Sequence, residues 1–147
     1  MTAYSPTRLA ALHSAAFSEG RTWNADEIRG MLTSRLVFVV TTPHGFAMGR
    51  VVVDEAELLT IAVDPGWQGH GIGRDLLRRF EAEARNRGAV RAFLEVAQDN
   101  TAARALYNSA GWSESGRRAR YYARPTGRNV DAIMMHKWFT QGEASGN

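Results

Sequence analysis

The stretch that decides the fold is LLTIAVDPGWQGHGIGRDLLRRFEAEARNRGAVRAFLEV, residues 58–96. An apolar, β-branched run at 58–63 predicts a strand, and a glycine loop follows it. Apolar residues then recur at helical spacing from Ile72 until Gly88, and a second apolar run at 90–96 predicts another strand. Strand, helix and strand in this order require a parallel pairing with a right-handed crossover. The sequence therefore predicts a central parallel strand pair.

The flanking segments predict antiparallel strands before this unit, and a helix and a strand after it. Asn24 and Glu27 have the spacing of a capping box, and Asn100 can cap an alanine-rich helix that ends at Gly111. We therefore predict an α/β fold with a mixed, mainly antiparallel sheet flanked by helices. The further predicted elements are helices at 9–17, 24–32 and 101–110, and strands at 36–41, 46–53 and 133–138.

Size and composition indicate one domain and exclude several kinds of site. The chain has 147 residues, of which 44% are hydrophobic and 22% charged, so we expect a single domain at 1–139 and a flexible tail at 140–147. It has no cysteine, which excludes disulfides, thiolate metal sites and a catalytic thiol. The four histidines lack metal-ligand spacing, so we expect no metal site. A net charge of +3 is not a nucleic-acid-binding signature.

The first twenty residues lack the basic and apolar regions of a secretory signal. The longest strictly apolar run, at 36–40, is far shorter than the ~20 residues of a membrane-spanning helix. We expect a cytoplasmic protein without a membrane partner.

The glycine loop at 68–74, QGHGIGR, predicts an anion site, because a helix N-terminus offers unpaired N–H groups and glycines allow close approach. A tight turn without a ligand is the alternative. The loop lacks the lysine and spacing of a nucleotide-hydrolysing P-loop. It also lacks the third glycine of a dinucleotide fingerprint, although Glu95 ends the next strand about where the ribose carboxylate would be.

The loop and its context resemble the GNAT superfamily of N-acetyltransferases. Gln68, Gly71 and Gly73 fit its motif Gln/Arg-x-x-Gly-x-Gly/Ala, after the strand at 58–63. The match is closer to the ribosomal-protein alanine N-acetyltransferases. The similarity is strong over about residues 54–135 and is carried by the segments 54–56, 61–65, 94–96, 105–107, 117–122 and 131–135.

This resemblance implies an acetyl-CoA site. The loop backbone from Gly69 to Arg74 would bind the pyrophosphate, and the end of the preceding strand would face the pantetheine. Relatives often carry arginine where this chain has Gly69, so Arg74 or backbone amides would supply the phosphate contact. The implied coenzyme-binding residues are Ile61, Ala62, Val63, Gln68, Gly69, His70, Gly71, Ile72, Gly73, Arg74 and Asn100.

The resemblance also implies that Glu95 is the general base and Tyr107 the general acid. The alternatives are a salt bridge at a strand end for Glu95 and helix packing for Tyr107. A carboxylic acid's reference pKa near 4.3 lies about 3.7 units below that of an α-ammonium near 8, and further below lysine near 10.4. An α-amine is therefore the easier acceptor. The Val96 amide would hold the thioester oxygen if a bulge separates the two parallel strands.

Two tyrosines near the end of the chain are candidates for the acceptor site, and arginines surround them. Five arginines between 117 and 128 surround Tyr121 and Tyr122, and the resemblance places these tyrosines beside an acceptor peptide. RNA contact and a solvated hairpin are the alternatives, and direct nucleic-acid binding is the less favoured. Trp23 and Phe17 are further candidates for the acceptor cleft, and core packing is the alternative for both.

The resemblance thus implies transfer of an acetyl group from acetyl-CoA to the N-terminal α-amine of a small-subunit ribosomal protein, with alanine as the acceptor residue. The alternatives are acetylation of a lysine or a small-molecule amine, and a non-catalytic module that binds acyl-CoA or RNA.

Overall fold

The computed structural model describes residues 5–16 and 23–139. Phe17 and the tail expected at 140–147 lie outside these residues. The helices are α1 (Pro6–Ala16), α2 (Ala25–Leu32), α3 (Ile72–Asn86) and α4 (Thr101–Ser109), with a 3-10 turn at Pro65–Trp67. The strands are β1 (Val37–Thr42), β2 (Gly45–Val52), β3 (Glu55–Val63), β4 (Arg91–Ala97), β5 (Ser113–Tyr122) and β6 (Val130–Trp138).

The six strands form one sheet in the order β1-β2-β3-β4-β6-β5. Only β3 and β4 run parallel, and every other neighbouring pair is antiparallel. The predicted mixed sheet with a central parallel pair is confirmed. None of the helices in the described part of the chain is long and apolar enough to cross a membrane.

Two parts of the sequence prediction need correction. The acidic segment 54–57, which separates the strands predicted at 46–53 and 58–63, contains the start of β3, where Glu55 pairs with Arg91 of β4. β5 was not predicted, because nearly all of its residues are exposed and it lacks an alternating apolar pattern. Backbone pairing with β6 makes it an edge strand.

The predicted helix caps are present. The Asn24 side chain accepts a hydrogen bond from the Glu27 amide at 2.8 Å, and the Glu27 carboxylate accepts one from the Asn24 amide at 3.0 Å. Asn100 accepts one from the Ala103 amide at 3.2 Å. These contacts satisfy N–H groups at the first turns of α2 and α4.

The two faces of the sheet carry separate apolar clusters. On the α3/α4 face, residues of β2, β3 and β4 pack against Leu76, Phe80 and Tyr107. On the α1/α2 face, Phe46, Met48 and Ala62 pack against Leu9 and Ile28. Each helix pair thus covers one side of the sheet.

A buried polar group ties α3 to the α4–β5 region. Glu81 is 6% exposed, and its carboxylate accepts hydrogen bonds from the Trp112 indole at 3.1 Å and from Lys137 Nζ at 2.8 Å. Lys137 also donates to the Ala110 carbonyl at the end of α4. The buried charge is therefore paired, as burial requires.

Candidate active site

The central feature of the site is a gap between the two parallel strands. β3 and β4 pair only from Glu55–Arg91 to Glu57–Phe93, although β3 continues to Val63 and β4 to Ala97. The last six residues of β3 and the last four of β4 therefore diverge. The backbone edges that face each other there have no strand partner, so they are open to a ligand.

A β-bulge accompanies this divergence. The register of β2 with β3 shifts between Met48–Thr60 and Gly49–Leu58, which leaves Leu59 without an opposite residue. One extra residue reverses the faces to which later side chains point. Ile61 and Val63 accordingly pack on the α3/α4 face, whereas Ala62 is buried on the α1/α2 face. The role implied for the Val96 amide depended on a bulge that separates these strands; the structure has one in β3, whereas the register of β4 with β6 is unbroken.

The glycine loop lies beyond the end of β3 and leads into α3. Gly69 and Gly71 have φ of +84° and +80°, and a Cβ built on either would meet nothing within 4 Å. Gly71 is the N-cap of α3 and supplies no side-chain hydrogen bond. The N–H groups of the first turn are thus free of a side-chain cap, which suits an anion.

Gly73 has a different role, because α4 passes close to it. A Cβ at this position would lie 3.3 Å from Leu106 Cδ2. The helices α3 and α4 therefore approach closely beside the loop. Ile72, next to it, packs against the apolar cluster of the α3/α4 face.

Three polar side chains of the predicted coenzyme set are engaged within the chain. Gln68 Nε2 donates to the Val63 carbonyl at 3.4 Å, and His70 Nδ1 lies 3.1 Å from the carbonyls of Trp67 and Gln68. Arg74 donates to Ser109 Oγ at 2.8 Å. Its guanidinium therefore lies against α4.

Asn100 uses its side-chain oxygen as the N-cap of α4. Within residues 5–16 and 23–139, its amide nitrogen makes no hydrogen bond to the protein. One half of the amide thus fixes the helix, and the other half is available to a ligand carbonyl.

Tyr107 projects from α4 into the cluster of the α3/α4 face. It is 5% exposed, and its ring centroid lies 6.0 Å from that of Trp112. Burial raises the pKa of the Tyr107 phenol well above its usual range. The hydroxyl thus remains protonated and is a hydrogen-bond donor.

Glu95 lies on the opposite face. Its neighbours Leu94 and Val96 are buried in the α3/α4 cluster, so the alternation of β4 directs Glu95 to the other side of the sheet. Glu95 and Tyr107 therefore lie on opposite faces, with the gap between β3 and β4 beside them. This arrangement allows two reactants to meet at the gap from two sides.

The Glu95 carboxylate has two partners from β5. Tyr122 donates its hydroxyl to Glu95 Oε1 at 2.7 Å, and Arg118 Nε lies 3.7 Å from Oε2. Burial and the bond to Glu95 raise the pKa of the Tyr122 phenol above its usual range. The predicted base and one predicted acceptor-binding residue are therefore in direct contact.

The other acceptor-binding candidates are placed differently. Tyr121 is 51% exposed, packs edge-on against Tyr122, and lies under the Arg118 guanidinium. Trp23 stacks on His13 at 4.8 Å between ring centroids and packs against the cluster of the α1/α2 face. Trp23 thus shares a face with Glu95 but is also part of the packing beneath α1 and α2.

The arginine cluster is largely neutralised within the chain. Arg117 pairs with Glu114, Arg118 with Glu95 and Arg124 with Asp99. Asp99 is a site-adjacent residue that sequence reasoning missed. Its position next to the Asn100 cap was the available signal, but its partner could not be inferred without the fold.

The divergent parallel strands, the glycine loop and the buried tyrosine define a coenzyme-dependent acyltransferase fold. The acetyltransferase (GNAT) family matches residues 5–112. The chain belongs to this family, as the motif at 68–73 indicated.

Individual relatives sharpen this assignment. The chain is 48% identical over 90 residues to the ribosomal protein bS18-alanine N-acetyltransferase of Escherichia coli K12; the match covers 61% of this chain and 60% of the relative. The aligned part thus spans less than two thirds of that relative. The crystal structure of the ribosomal-protein-S18-alanine N-acetyltransferase from Escherichia coli superposes with a TM-score of 0.80 at 33% identity, covering 90% of this chain and 86% of that one.

A third comparison concerns the coenzyme. The structure of yncA from Salmonella typhimurium with its cofactor acetyl-CoA has a TM-score of 0.69 at 26% identity. It covers 90% of this chain and 83% of that one. A fold of this kind thus holds acetyl-CoA in a solved structure.

Proposed function

We propose that this protein transfers an acetyl group from acetyl-CoA to the N-terminal α-amine of a ribosomal protein, with alanine as the acceptor residue. The observation that carries the proposal is the gap between β3 and β4, with the glycine loop at one end and Glu95 at its side. The names of the relatives at 48% and 33% identity support alanine and a ribosomal acceptor.

The residues present fit acetyl-CoA. The αL glycines Gly69 and Gly71 and the uncapped first turn of α3 suit a pyrophosphate. The open edge at 61–63 suits the amides of a pantetheine, and the free half of the Asn100 amide suits one of its carbonyls. Acetyl-CoA serves as the acetyl donor.

The reaction needs a neutral amine, a polarised carbonyl and a stabilised thiolate. In the proposed reaction the amine nitrogen bonds to the thioester carbonyl carbon, and the carbon–sulfur bond breaks. Glu95 takes the proton that the nitrogen loses, directly or through water. Tyr107 donates a hydrogen bond to the departing sulfur. Its raised pKa favours this hydrogen bond over full transfer of the proton. The Val96 amide, which the resemblance implied for the carbonyl oxygen, is directed toward β6 instead: Val96 pairs with Ile133 in an unbroken register, and two residues on the Gln98 amide donates to the Asp131 carbonyl.

The difference in pKa between the carboxylic acid and the ammonium group favours an α-amine over lysine as the acceptor. About a tenth of an α-amine with a pKa near 8 is neutral at pH 7, against under a thousandth of a lysine near 10.4. The free energy needed to form the neutral amine is therefore several kcal/mol smaller for an α-amine than for a lysine side chain.

The test is release of free coenzyme A thiol from acetyl-CoA, measured with a thiol-reactive dye. The acceptors are a peptide with a free N-terminal alanine and an N-blocked peptide that contains lysine. The protein has no cysteine that would react with the dye. We expect release only with the free alanine terminus. Release with the blocked lysine peptide alone would replace the α-amine assignment, and silence with both would overturn it.

A further inference from the structure

Arg124 and Asp99 form a two-pronged ion pair beside the candidate active site. Arg124 Nε donates to Asp99 Oδ2 at 2.8 Å, and Nη2 donates to Oδ1 at 2.7 Å. A planar guanidinium that meets both oxygens of one carboxylate is the most directional form of this interaction. The Arg124 side chain is 12% exposed, and Nη1 donates to the Ala123 carbonyl at 3.0 Å. Three nitrogens of the guanidinium are therefore engaged.

This pair connects two loops from different parts of the chain. Asp99 lies between the end of β4 and the Asn100 cap of α4, and Arg124 lies two residues beyond the end of β5. The Arg124 guanidinium carbon is 5.8 Å from the centroid of the Tyr122 ring. Tyr122 in turn donates to Glu95. The pair thus borders the residue that contacts the proposed base.

Backbone pairing alone fixes Tyr122 weakly. The register of β5 with β6 is interrupted between Arg118 and Tyr122, and it resumes only at the pair Tyr122–Val130. Arg120, within the interruption, has a φ of +51°, which is unfavourable for a residue with a side chain. Residues 123–129 contain neither helix nor strand. Within the interruption, the Arg120 amide donates to Asp131 Oδ1 at 3.0 Å and Asn129 Nδ2 donates to the Arg120 carbonyl at 3.3 Å. Beyond Tyr122, the Asp99–Arg124 pair ties the following segment to the β4–α4 loop.

We infer that the Asp99–Arg124 pair is a positioning device that holds the Tyr122 hydroxyl on the Glu95 carboxylate. Neither residue contacts the reacting atoms. Arg124 restrains the end of β5 against the β4–α4 loop, and Tyr122 thereby orients the carboxylate toward the acceptor amine. This inference rests on the proposed function for its kinetic consequence, but its structural consequence is independent of any substrate.

The kinetic test is a double-mutant cycle of Arg124→Gln and Tyr122→Phe with the free-alanine peptide. Alone, Arg124→Gln is expected to lower kcat/KM for the peptide about tenfold, whereas in the Tyr122→Phe background it lowers it less than about twofold. The dissociation constant of acetyl-CoA stays within about twofold of wild type. An equal loss in both backgrounds would show that Arg124 does not act through Tyr122.

Two further variants separate geometry from charge. Arg124→Lys keeps the positive charge but cannot bind both carboxylate oxygens of Asp99 at once. We therefore expect its kcat/KM to lie between those of Arg124→Gln and wild type. Arg128→Gln removes the same charge from the same loop, and within residues 5–16 and 23–139 the Arg128 side chain forms no ion pair. It is expected to leave kcat/KM within about twofold. A loss in Arg128→Gln as large as in Arg124→Gln would overturn the inference in favour of a general charge effect.

Hydrogen exchange measured by mass spectrometry tests the same pair without an acceptor. We expect amides at 119–124 to exchange about tenfold faster in Arg124→Gln, by a smaller factor in Arg124→Lys, and at the wild-type rate in Arg128→Gln. Exchange unchanged in both Arg124 variants would overturn the inference. Wild-type protein that acetylates no α-amine would overturn the proposed function instead, and exchange would still decide whether the pair restrains β5. Should Arg124→Gln fail to fold, Arg124→Lys carries both measurements.

Discussion

The α3/α4 face and the α1/α2 face of the sheet offer a ligand different kinds of contact. The loop that leads to the α3/α4 face presents mainly backbone, through Gly69, Gly71 and the first turn of α3. On the other face, contacts are made by side chains that are distant in sequence, as in Tyr122 with Glu95, 27 residues apart. In the proposed function the backbone contacts would hold the coenzyme, and the side-chain contacts would hold the acceptor.

The largest expected effect comes from removing the carboxylate on the α1/α2 face. Glu95→Gln retains the shape and an acceptor for the Tyr122 hydroxyl but cannot take a proton at neutral pH. We expect kcat to fall by about 10²–10⁴, the usual contribution of a general base. Calorimetric titration should give an acetyl-CoA dissociation constant close to wild type. Turnover within tenfold of wild type would remove Glu95 from the proposed role.

The next effect concerns stability on the α3/α4 face. Glu81→Ala leaves the Trp112 indole and the Lys137 ammonium without their carboxylate. Breaking a buried pair in this way costs about 3–5 kcal/mol, measurable as the free energy of unfolding in urea. The matched control is Glu83→Ala on the same helix, which loses only an ion pair with Arg87 near the surface and about 0.5 kcal/mol. Equal losses would mean that Glu81 is not the anchor of this face.

The α1/α2 face contains a buried histidine that makes stability depend on pH. Burial lowers the pKa of His13 to about 4, and its Nδ1 accepts a hydrogen bond from the Trp23 amide at 3.4 Å. The unfolded chain takes up this proton near pH 6.5, whereas the folded protein takes it up only near 4. Stability is therefore complete above about pH 6.5 and falls by up to about 3 kcal/mol as the pH decreases to 4.

This dependence is measurable by urea unfolding at several pH values between 7.5 and 4.5. A His13→Asn variant should be less stable at pH 7.5 but should show a flatter dependence between pH 6.5 and 5. An identical slope in the variant would assign the dependence to other groups.

The smallest effect concerns the coenzyme loop. Gly71→Ala places a side chain at φ +80°, where the cost is about 1–2 kcal/mol, although nothing obstructs the methyl group. We expect the acetyl-CoA dissociation constant to rise about tenfold while the rate at saturation changes little. Gly30→Ala in α2 is the control, because its Cβ is equally unobstructed; helix propensity predicts a gain of about 0.5–1 kcal/mol in stability and no change in coenzyme binding.

Much of the fold was predictable because its signals are local. Helical spacing located α3, the capping pairs at Asn24 and Asn100 located the starts of α2 and α4, and β-branched runs located the first three strands. β5 was missed because Ser113–Tyr122 is polar on both faces and is a strand only by pairing with β6. The start of β3 was missed because Glu55 is acidic; its backbone pairing with Val52 and Arg91, and its ion pair with Arg91, exist only in the folded sheet.

The glycine loop proposed for the coenzyme was identified from one motif, because its residues are contiguous in sequence. The acceptor side was identified only as separate residues. Asp99 and Arg124 are unremarkable in the sequence, and their pairing depends on how the segment after β5 meets the loop between β4 and α4.

The sequence by itself determined the order of the elements, the parallel crossover and the glycine loop, because each depends on neighbouring residues and on the chirality of the chain. The tertiary structure alone decided the divergence of β3 from β4, the faces to which Ile61, Ala62 and Val63 point, and the contact of Tyr122 with Glu95. These depend on strand register, which a single bulge at Leu59 reverses, and register is set by packing across the whole sheet.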